Sequence, residues 1–237
     1  KFLNSNPIIK LITTTHTLKK VYIKKYGVKK EKIQVLHNAS SLNVKFKNYK
    51  NLKKKLNIGY FGSIFESRGL KIITKLSQVD KDNNYFIYGG EKKDIITLKK
   101  KFKNSNIFFS QFIPYSSIKK KLKKIDICIL PYTKKITVSG NVGDISNYTS
   151  PLKVFDYMKT GKLIICSNLK VIREVLINNK NSLLVDDFEN INSWLDIIRS
   201  IKLNKKRFNK IRQNAYNFGN KYNIIWRTSN LLSNINK

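Results

Sequence analysis

The chain has 237 residues, of which 41% are hydrophobic and 11% aromatic, and 48 Lys and Arg against 14 Asp and Glu give it a formal net charge of +34. This length suits one large domain or one domain with part of another, and the apolar content excludes an intrinsically disordered chain. Its longest apolar runs fall far below the ~18 residues of a membrane span, and two cysteines exclude a disulfide framework.

The first 45 residues of the sequence predict part of an α/β domain. We predict a strand over 8–13, a helix over 15–26 that ends at Gly27, and a strand over 32–36. Segment 43–55 is polar and rich in Lys and Asn, which is typical of a linker. Because the amino end is polar and begins without Met, we expect 1–42 to be the tail of an incomplete preceding domain.

From residue 56 onward, short apolar strands alternate with amphipathic helices. The predicted strands are 57–63, 84–88, 106–110, 126–130, 162–167 and 182–185. The predicted helices are 69–78, 92–102, 115–124, 151–160, 171–177, 190–201, 205–218 and 224–235. This alternation is typical of βαβ units, so the predicted fold class is α/β, a doubly wound, Rossmann-like parallel sheet with helices on both faces. We expect 56–218 to form this domain, and the helix in 219–237 to pack back toward the first one.

The first candidate binding segment is the predicted strand-to-helix turn at 59–70, which reads GYFGSIFESRGL. Ligands of open parallel sheets bind at the carboxyl ends of the strands. Gly62 lacks a Cβ, so a ligand can approach its backbone, and Arg68 can offer a fork of donors to a phosphate. A plain tight turn with an exposed arginine explains this segment equally well.

The second candidate is the start of the helix predicted over 151–160. Ser150 is a typical N-cap and Pro151 suits the first turn, which leaves the amides of Leu152 and Lys153 free to bind an anion. Asp156, about one turn later, can accept hydrogen bonds from sugar hydroxyls. A well-capped amphipathic helix with no ligand is the alternative.

These motifs occur in one order with two others, DICILPY at 126–132 and IREVL at 172–176. Together they resemble the retaining glycosyltransferases of group 1 with the GT-B fold (family-four type), and the resemblance covers about 8–235. VLHNAS at 35–40 is similar to the end of that family's acceptor-binding half. The resemblance implies a donor-binding half that serves transfer, with retention, from a UDP- or GDP-linked sugar to a saccharide or lipid-linked acceptor.

The resemblance also implies roles for individual residues. Gly62 and Ser63 would lie beneath the donor diphosphate, and Arg68 and Lys153 would pair with it and act as the catalytic cations. The remaining implied donor-binding residues are Tyr115 beside the base, Ser150, Pro151 and Leu152 at the helix start, and Asp156 at the ribose, where the family usually has Glu.

The sequence departs from the family at two positions. Tyr148 stands eight residues before Asp156, where an acidic residue is common, and Ser63 replaces a second cation. Arg68 and Lys153 would then neutralise the diphosphate by themselves, and such fixed cations can replace a metal ion. We therefore expect no cofactor and no metal, although Asp80-Lys81-Asp82 spells an Asp-x-Asp motif in a polar turn.

The positive charge leaves other functions open. Codon composition alone can produce a Lys-rich chain, yet clustered Lys also binds anionic membrane surfaces. One alternative is therefore a basic membrane-associated scaffold. The other is a non-catalytic nucleotide-sugar-binding module, because we expect the acceptor half to be incomplete and Tyr148 replaces the usual acid. Scarce Arg and the lack of a recognised module argue against specific nucleic-acid binding.

The setting is predicted from the two cysteines, Cys128 and Cys166, which lie inside apolar runs and read as buried thiols of a reducing, cytoplasmic compartment. The resemblance implies a role in cell-envelope polysaccharide synthesis, and the clustered Lys predicts peripheral contact at the inner membrane surface. The chain by itself should bind donor but turn over little, because the reaction needs both halves of the cleft.

Overall fold

The computed structural model describes residues 2–5, 10–48, 54–138 and 142–233. The strands are β1 Leu11–Thr13, β2 Ile33–Val35, β3 Asn57–Phe61, β4 Asn84–Tyr88, β5 Ile107–Ser110, β6 Ile127–Leu130, β7 Leu163–Ser167 and β8 Leu183–Val185. The helices are α1 His16–Tyr26, α2 Leu70–Val79, α3 Lys92–Lys101, α4 Tyr115–Leu122, α5 Leu152–Lys159, α6 Ile191–Leu203, α7 Lys205–Lys221 and α8 Ile224–Leu232.

The main sheet has six parallel strands in the order β5-β4-β3-β6-β7-β8. Ile58 of β3 pairs with Tyr85 of β4 on one side and with Ile127 of β6 on the other. The chain therefore runs outward from β3 to β5, returns to the centre at β6, and runs outward again to β8. This arrangement confirms the predicted doubly wound α/β class and puts a topological switch point between β3 and β6.

The core lies on both faces of this sheet. Every residue of β6 and β7 is buried, because helices cover the sheet on both sides. Trp194 of α6 packs in the cluster on one face, and Phe155 of α5 packs in the cluster on the other. Cys128 and Cys166 lie fully inside the second cluster, where burial raises the pKa of both thiols. Both are structural thiols, as predicted.

The amino-terminal segment forms a separate two-stranded parallel sheet, in which Leu11 pairs with Ile33. Helix α1 begins after Thr15, whose hydroxyl accepts a hydrogen bond from Leu18 N at 3.0 Å, and it ends at Gly27. Residues 8 and 9 of the predicted strand, 49–53 of the predicted linker and the end of the helix predicted to 235 lie outside the described residues.

Helix α8 contacts the amino-terminal segment directly. Arg227 Nε donates to His37 O at 3.1 Å, and Ile224 N donates to Ser40 O at 3.3 Å. The division of the chain at 42, 55 and 218 remains a prediction. Among the described residues, no helix is long and apolar enough to cross a membrane.

The helix predicted over 171–177 is wrong. Only one 3-10 turn, Ile172–Glu174, forms there. Asn181 explains why the turn does not continue, because its side chain accepts from Ile177 N at 2.7 Å and donates to Val175 O at 3.0 Å. An Asn side chain that bonds to the backbone in this way competes with helical hydrogen bonds.

Candidate functional site

The candidate site lies at the switch point of the sheet. The carboxyl end of β3 leads into Gly62, the carboxyl end of β6 leads into Pro131 and Tyr132, and α5 begins beside them at Leu152. Because β3 and β6 are neighbours in a parallel sheet, the loops that follow them emerge at the same edge.

Lys153 places its ammonium in this edge. Its Nζ lies 3.2 Å from Tyr60 Oη and 4.3 Å from the centroid of the Tyr60 ring. A Cβ on Gly62 would overlap the ammonium, and Gly62 has a φ of 133°, which side chains rarely adopt. The glycine is therefore required for Lys153 to lie across the end of β3.

Arg68 lies at the same edge of the sheet. Its guanidinium lies 5.4 Å from the centroid of the Tyr132 ring, and Nη2 donates to Thr137 O at 3.1 Å. Lys153 Nζ is 5.8 Å from that same Tyr132 centroid, so both cations lie against one ring. Gly69 allows the turn that carries Arg68 to pack closely against Pro131, because a Cβ at this position would collide with the Pro131 carbonyl.

The electrostatics of this pair favour an anion. Burial, and secondly the positive charge of Arg68, lower the pKa of Lys153 to about 7. Within the described ranges, no carboxylate forms an ion pair with either side chain. Two adjacent cations without a counter-charge destabilise each other, and a bound anion would relieve that repulsion.

The start of α5 differs from the prediction. Ser150 is not the N-cap; Pro151 is, and it makes no side-chain capping bond. Its extended backbone, with ψ at 118°, delays the helix to Leu152, and the carbonyl of Ser150 accepts instead from Asn38 Nδ2 at 2.7 Å. The amides of Leu152 and Lys153 still belong to the first helical turn, where amides lack intrahelical acceptors.

Asp156 is buried and bonded to side chains of this chain. Its Oδ1 accepts from Ser40 Oγ at 2.6 Å and from Tyr115 Oη at 2.9 Å. Burial raises the pKa of the Asp156 carboxyl, and these two hydrogen bonds oppose that rise. The predicted ribose-binding carboxylate thus links α5 to residue 40 of the preceding segment and to the start of α4.

Two adjoining cavities are lined by seven of the nine predicted donor-binding residues, and Ser150 and Pro151 line neither cavity. The larger, about 780 Å³, is lined by Ser63 and Arg68, and the smaller, about 270 Å³, by Gly62, Leu152, Lys153, Asp156 and Tyr115. The Phe112 side chain, 56% exposed, borders both. Their volumes are those of small-ligand sites.

The sequence did not single out Tyr60 and Tyr132, the two rings that hold the cations. Tyr60 reads simply as an apolar residue of a strand and Tyr132 as part of the turn after one, and no local signal shows that either ring faces a cation. The sequence also did not identify Glu91 and Asp94 as residues that border the larger cavity. These two residues form a helix capping box at the start of α3.

Two other sequence features lie in different contacts. Tyr148 donates its hydroxyl to Asp144 O at 2.7 Å within its own loop. Asp80 accepts from Tyr85 Oη at 2.6 Å and from Asn83 Nδ2 at 2.8 Å, so half of the Asp-x-Asp motif supports a turn. In the described part of the chain, no three His, Cys, Asp or Glu side chains are grouped as a metal site.

Comparison with known proteins supports one family. A profile of the family described as glycosyl transferases group 1 matches residues 41–218. No curated protein matches the sequence.

Solved structures of low sequence identity share the fold. Anabaena Alr3699/HepE in complex with UDP and glucose is 12% identical with a TM-score of 0.74, and the match covers 96% of this chain and 63% of that one. A glycosyltransferase from Rickettsia africae is 15% identical with a TM-score of 0.73, over 98% and 64%. Sucrose-phosphate synthase from Thermosynechococcus elongatus is 14% identical with a TM-score of 0.72, over 94% and 56%.

The chain thus spans 56–64% of the length of these three structures. At such identities the likeness concerns the fold, which is that of GT-B glycosyltransferases. The profile match covers three quarters of the sequence, from residue 41 to residue 218 within α7. On that match, the chain belongs to the group 1 glycosyl transferases.

Proposed function

We propose that this chain carries the donor site of a glycosyltransferase that moves a sugar from a UDP- or GDP-linked donor to a saccharide or lipid-linked acceptor, with retention of configuration. The convergence of Arg68 and Lys153 at the switch point carries this proposal. Membership of the family and the UDP-glucose complex of Anabaena HepE support the donor class.

The proposed chemistry is electrostatic. Cleavage of the bond between sugar and diphosphate builds negative charge on the leaving oxygen, and cations and amides placed beforehand stabilise that charge. Arg68 would bind two phosphate oxygens through its fork of N–H groups, and Lys153 would act as a point charge. The diester diphosphate of a sugar nucleotide carries two negative charges, which these two cations match; we propose a reaction independent of metals and cofactors.

The rest of the donor would occupy the two cavities. We propose that the diphosphate lies over Gly62 and Ser63 and against the first turn of α5, which Pro151 and Leu152 begin. The ribose hydroxyls would replace the Tyr115 hydroxyl on Asp156, and the base would lie beside Phe112.

The proposed site binds the donor only. We propose that the chain alone binds donor and turns over little, because the acceptor must approach from the other side of the cleft. A cytoplasmic role in cell-envelope polysaccharide synthesis, with peripheral contact at the membrane, completes the proposal.

Calorimetric titration with UDP and GDP tests the donor site. Replacing Arg68 with Ala should weaken the binding of the favoured nucleotide by about 1.5–3 kcal/mol, or roughly tenfold to a hundredfold, because charged hydrogen bonds to phosphate are lost.

The matched control is Arg199→Ala, which removes an exposed arginine of α6, and it should change the affinity less than about twofold. Unchanged affinity in Arg68→Ala would remove the guanidinium from the site. An equal loss in both variants would show that net charge alone governs binding.

A further inference from the structure

A third cavity lies at the opposite end of the sheet from the candidate donor site. Its volume is about 430 Å³, and its charged lining consists of Lys45, Lys47, Lys119, Lys123, Lys162 and Arg212. We call it the basic cavity. Lys162 immediately precedes β7, so the basic cavity lies at the amino ends of the strands, roughly 15 Å along them from the switch point.

The outer wall of the basic cavity is held in place by side chains of the sheet-covering helices. Lys119 Nζ of α4 donates to Asn43 O at 2.7 Å, Tyr216 Oη of α7 donates to Val44 O at 2.9 Å, and Arg212 Nη2 donates to Lys47 O at 3.0 Å. Residues 43–47, which composition predicts to be linker, are therefore fastened across the cavity as a built wall.

Apart from Lys119, whose ammonium bonds to Asn43 O, the cations of the basic cavity divide into two groups. Lys162 and Arg212 are buried and donate to the carbonyls of Ile125 at 2.6 Å and of Gly161 at 2.9 Å. The side chains of Lys45, Lys47 and Lys123 are exposed at its rim. For these three lysines, the described structure contains no hydrogen bond or ion pair of the ammonium.

The lining has no acidic side chain among the described residues. The buried Asp126 borders a small neighbouring cavity together with Arg212, where it offsets one positive charge. A concave site lined by one sign of charge focuses its field and concentrates counter-ions. Val44, within the wall, and Leu122 of α4 add apolar surface to the lining of the basic cavity.

We propose that the basic cavity binds a phosphate-bearing anion, either a soluble diphosphate or the phosphate headgroup of an anionic lipid. Ammonium groups on flexible stems suit phosphate oxygens, and the fixed wall keeps the positive charges together before the ligand arrives. The site is independent of the donor site, because the two share no lining residue.

Titration with inorganic pyrophosphate at low ionic strength tests the proposal. The experiment is done in the Arg68→Ala background, so that the donor site contributes little. The triple variant Lys45→Gln, Lys47→Gln, Lys123→Gln should weaken pyrophosphate binding about tenfold to a hundredfold, since each lysine near a phosphate contributes.

The matched control removes three exposed lysines elsewhere, Lys75→Gln, Lys100→Gln and Lys202→Gln, and should change the affinity less than about twofold. Equal loss in both triple variants, or no loss in the first, would overturn the proposal. If the first triple variant melts early, Lys123→Gln alone provides the test, with a smaller loss in the same direction.

Co-sedimentation with vesicles identifies the source of the phosphate. Vesicles of phosphatidylcholine are compared with vesicles that contain about one third phosphatidylglycerol. Binding to the anionic vesicles that is lost in the cavity variant and kept in the control assigns a lipid headgroup. Binding of pyrophosphate with no such vesicle binding assigns a soluble ligand. If Arg68→Ala alone leaves pyrophosphate and nucleotide binding unchanged, the donor assignment fails while the basic cavity is still judged by its own variants.

Discussion

Lys153 shows how one side chain can be prepared for a ligand. Its ammonium lies against Tyr60 and beside Arg68, and no carboxylate of the described chain pairs with it. Burial and the neighbouring guanidinium lower its pKa to about 7. A diphosphate at the same point would restore the charged form, so donor binding and protonation should be coupled.

We predict that donor binding takes up a proton. Between about pH 7 and the ordinary Lys pKa of 10.5, the free protein holds Lys153 mostly neutral and the complex holds it charged. Calorimetry with UDP-glucose at about pH 8, in two buffers of different ionisation enthalpy, should show uptake approaching one proton, and affinity should fall as the pH rises above 7.

Lys153→Arg is the control for this linkage, because arginine stays charged in proteins. This variant should bind without proton uptake. The same uptake in both proteins would contradict the role given to Lys153.

Asp156 is the residue whose role the tertiary contacts change most. As an isolated motif residue it offers a carboxylate to a sugar, yet Ser40 and Tyr115 already bond to Oδ1. Asp156 therefore joins α5 to residue 40 and to the start of α4. In the proposed donor complex, the Tyr115 hydroxyl must leave Asp156 before a ribose hydroxyl can bond to it.

At the scale of elements, the 3-10 turn Ile172–Glu174 and helix α1 form one unit. Glu174 Oε2 accepts from His16 N at 2.7 Å, and Oε1 accepts from Thr17 N at 2.8 Å and from Thr17 Oγ1 at 2.6 Å. The carboxylate thus caps the positive end of a helix more than 150 residues away in sequence. Burial raises the pKa of the Glu174 carboxyl, but these hydrogen bonds lower it by more. The net shift of the pKa is therefore downward.

We predict that Glu174→Gln destabilises α1. The loss should be about 1–2 kcal/mol, because a charged cap is replaced by a neutral one. Hydrogen exchange of the α1 amides should accelerate at neutral pH. Since the folded pKa is lowered, the cap is fully formed above the ordinary Glu pKa of 4.5 and is lost as the pH falls through the folded value.

Glu31→Gln, an exposed acid of the same segment, should leave the exchange of α1 unchanged. Slow exchange retained in Glu174→Gln would show that Thr15 alone is sufficient to cap the helix.

The strands and most helices follow from local patterns. The observed β4 has the predicted bounds, and β3, β5, β6, β7 and β8 lie within theirs, because buried strands of a parallel sheet are continuous apolar runs. The helix over 171–177 failed because Asn181, from beyond the turn, bonds to its backbone. Such competition is invisible to periodicity.

At the scale of the whole molecule, charge dominates. The net charge of +34 is the excess of Lys and Arg over Asp and Glu, and ion pairs such as Lys134 with Glu189 at 2.9 Å are exposed. Self-repulsion of that size opposes the compact state, and salt screens it.

We predict that the folded chain gains stability with salt. Raising sodium chloride from about 20 mM to about 300 mM should increase the melting temperature by a few degrees, since screened repulsion outweighs the weakening of the exposed pairs. Sucrose at equal osmolality is the control for general solvent effects. A melting temperature that falls with salt would mean that attractive pairs dominate.

The sequence by itself determined the class of fold, the order of the elements and the segments around Arg68 and Lys153, because apolar runs, glycines and helix starts are local properties. Tertiary structure decided which groups meet. Tyr60, Tyr132, Arg68 and Lys153 come from separate elements and converge only because β3 and β6 are neighbours. Residues 43–47 likewise become the wall of the basic cavity only through hydrogen bonds from α4 and α7, which lie far away in the sequence.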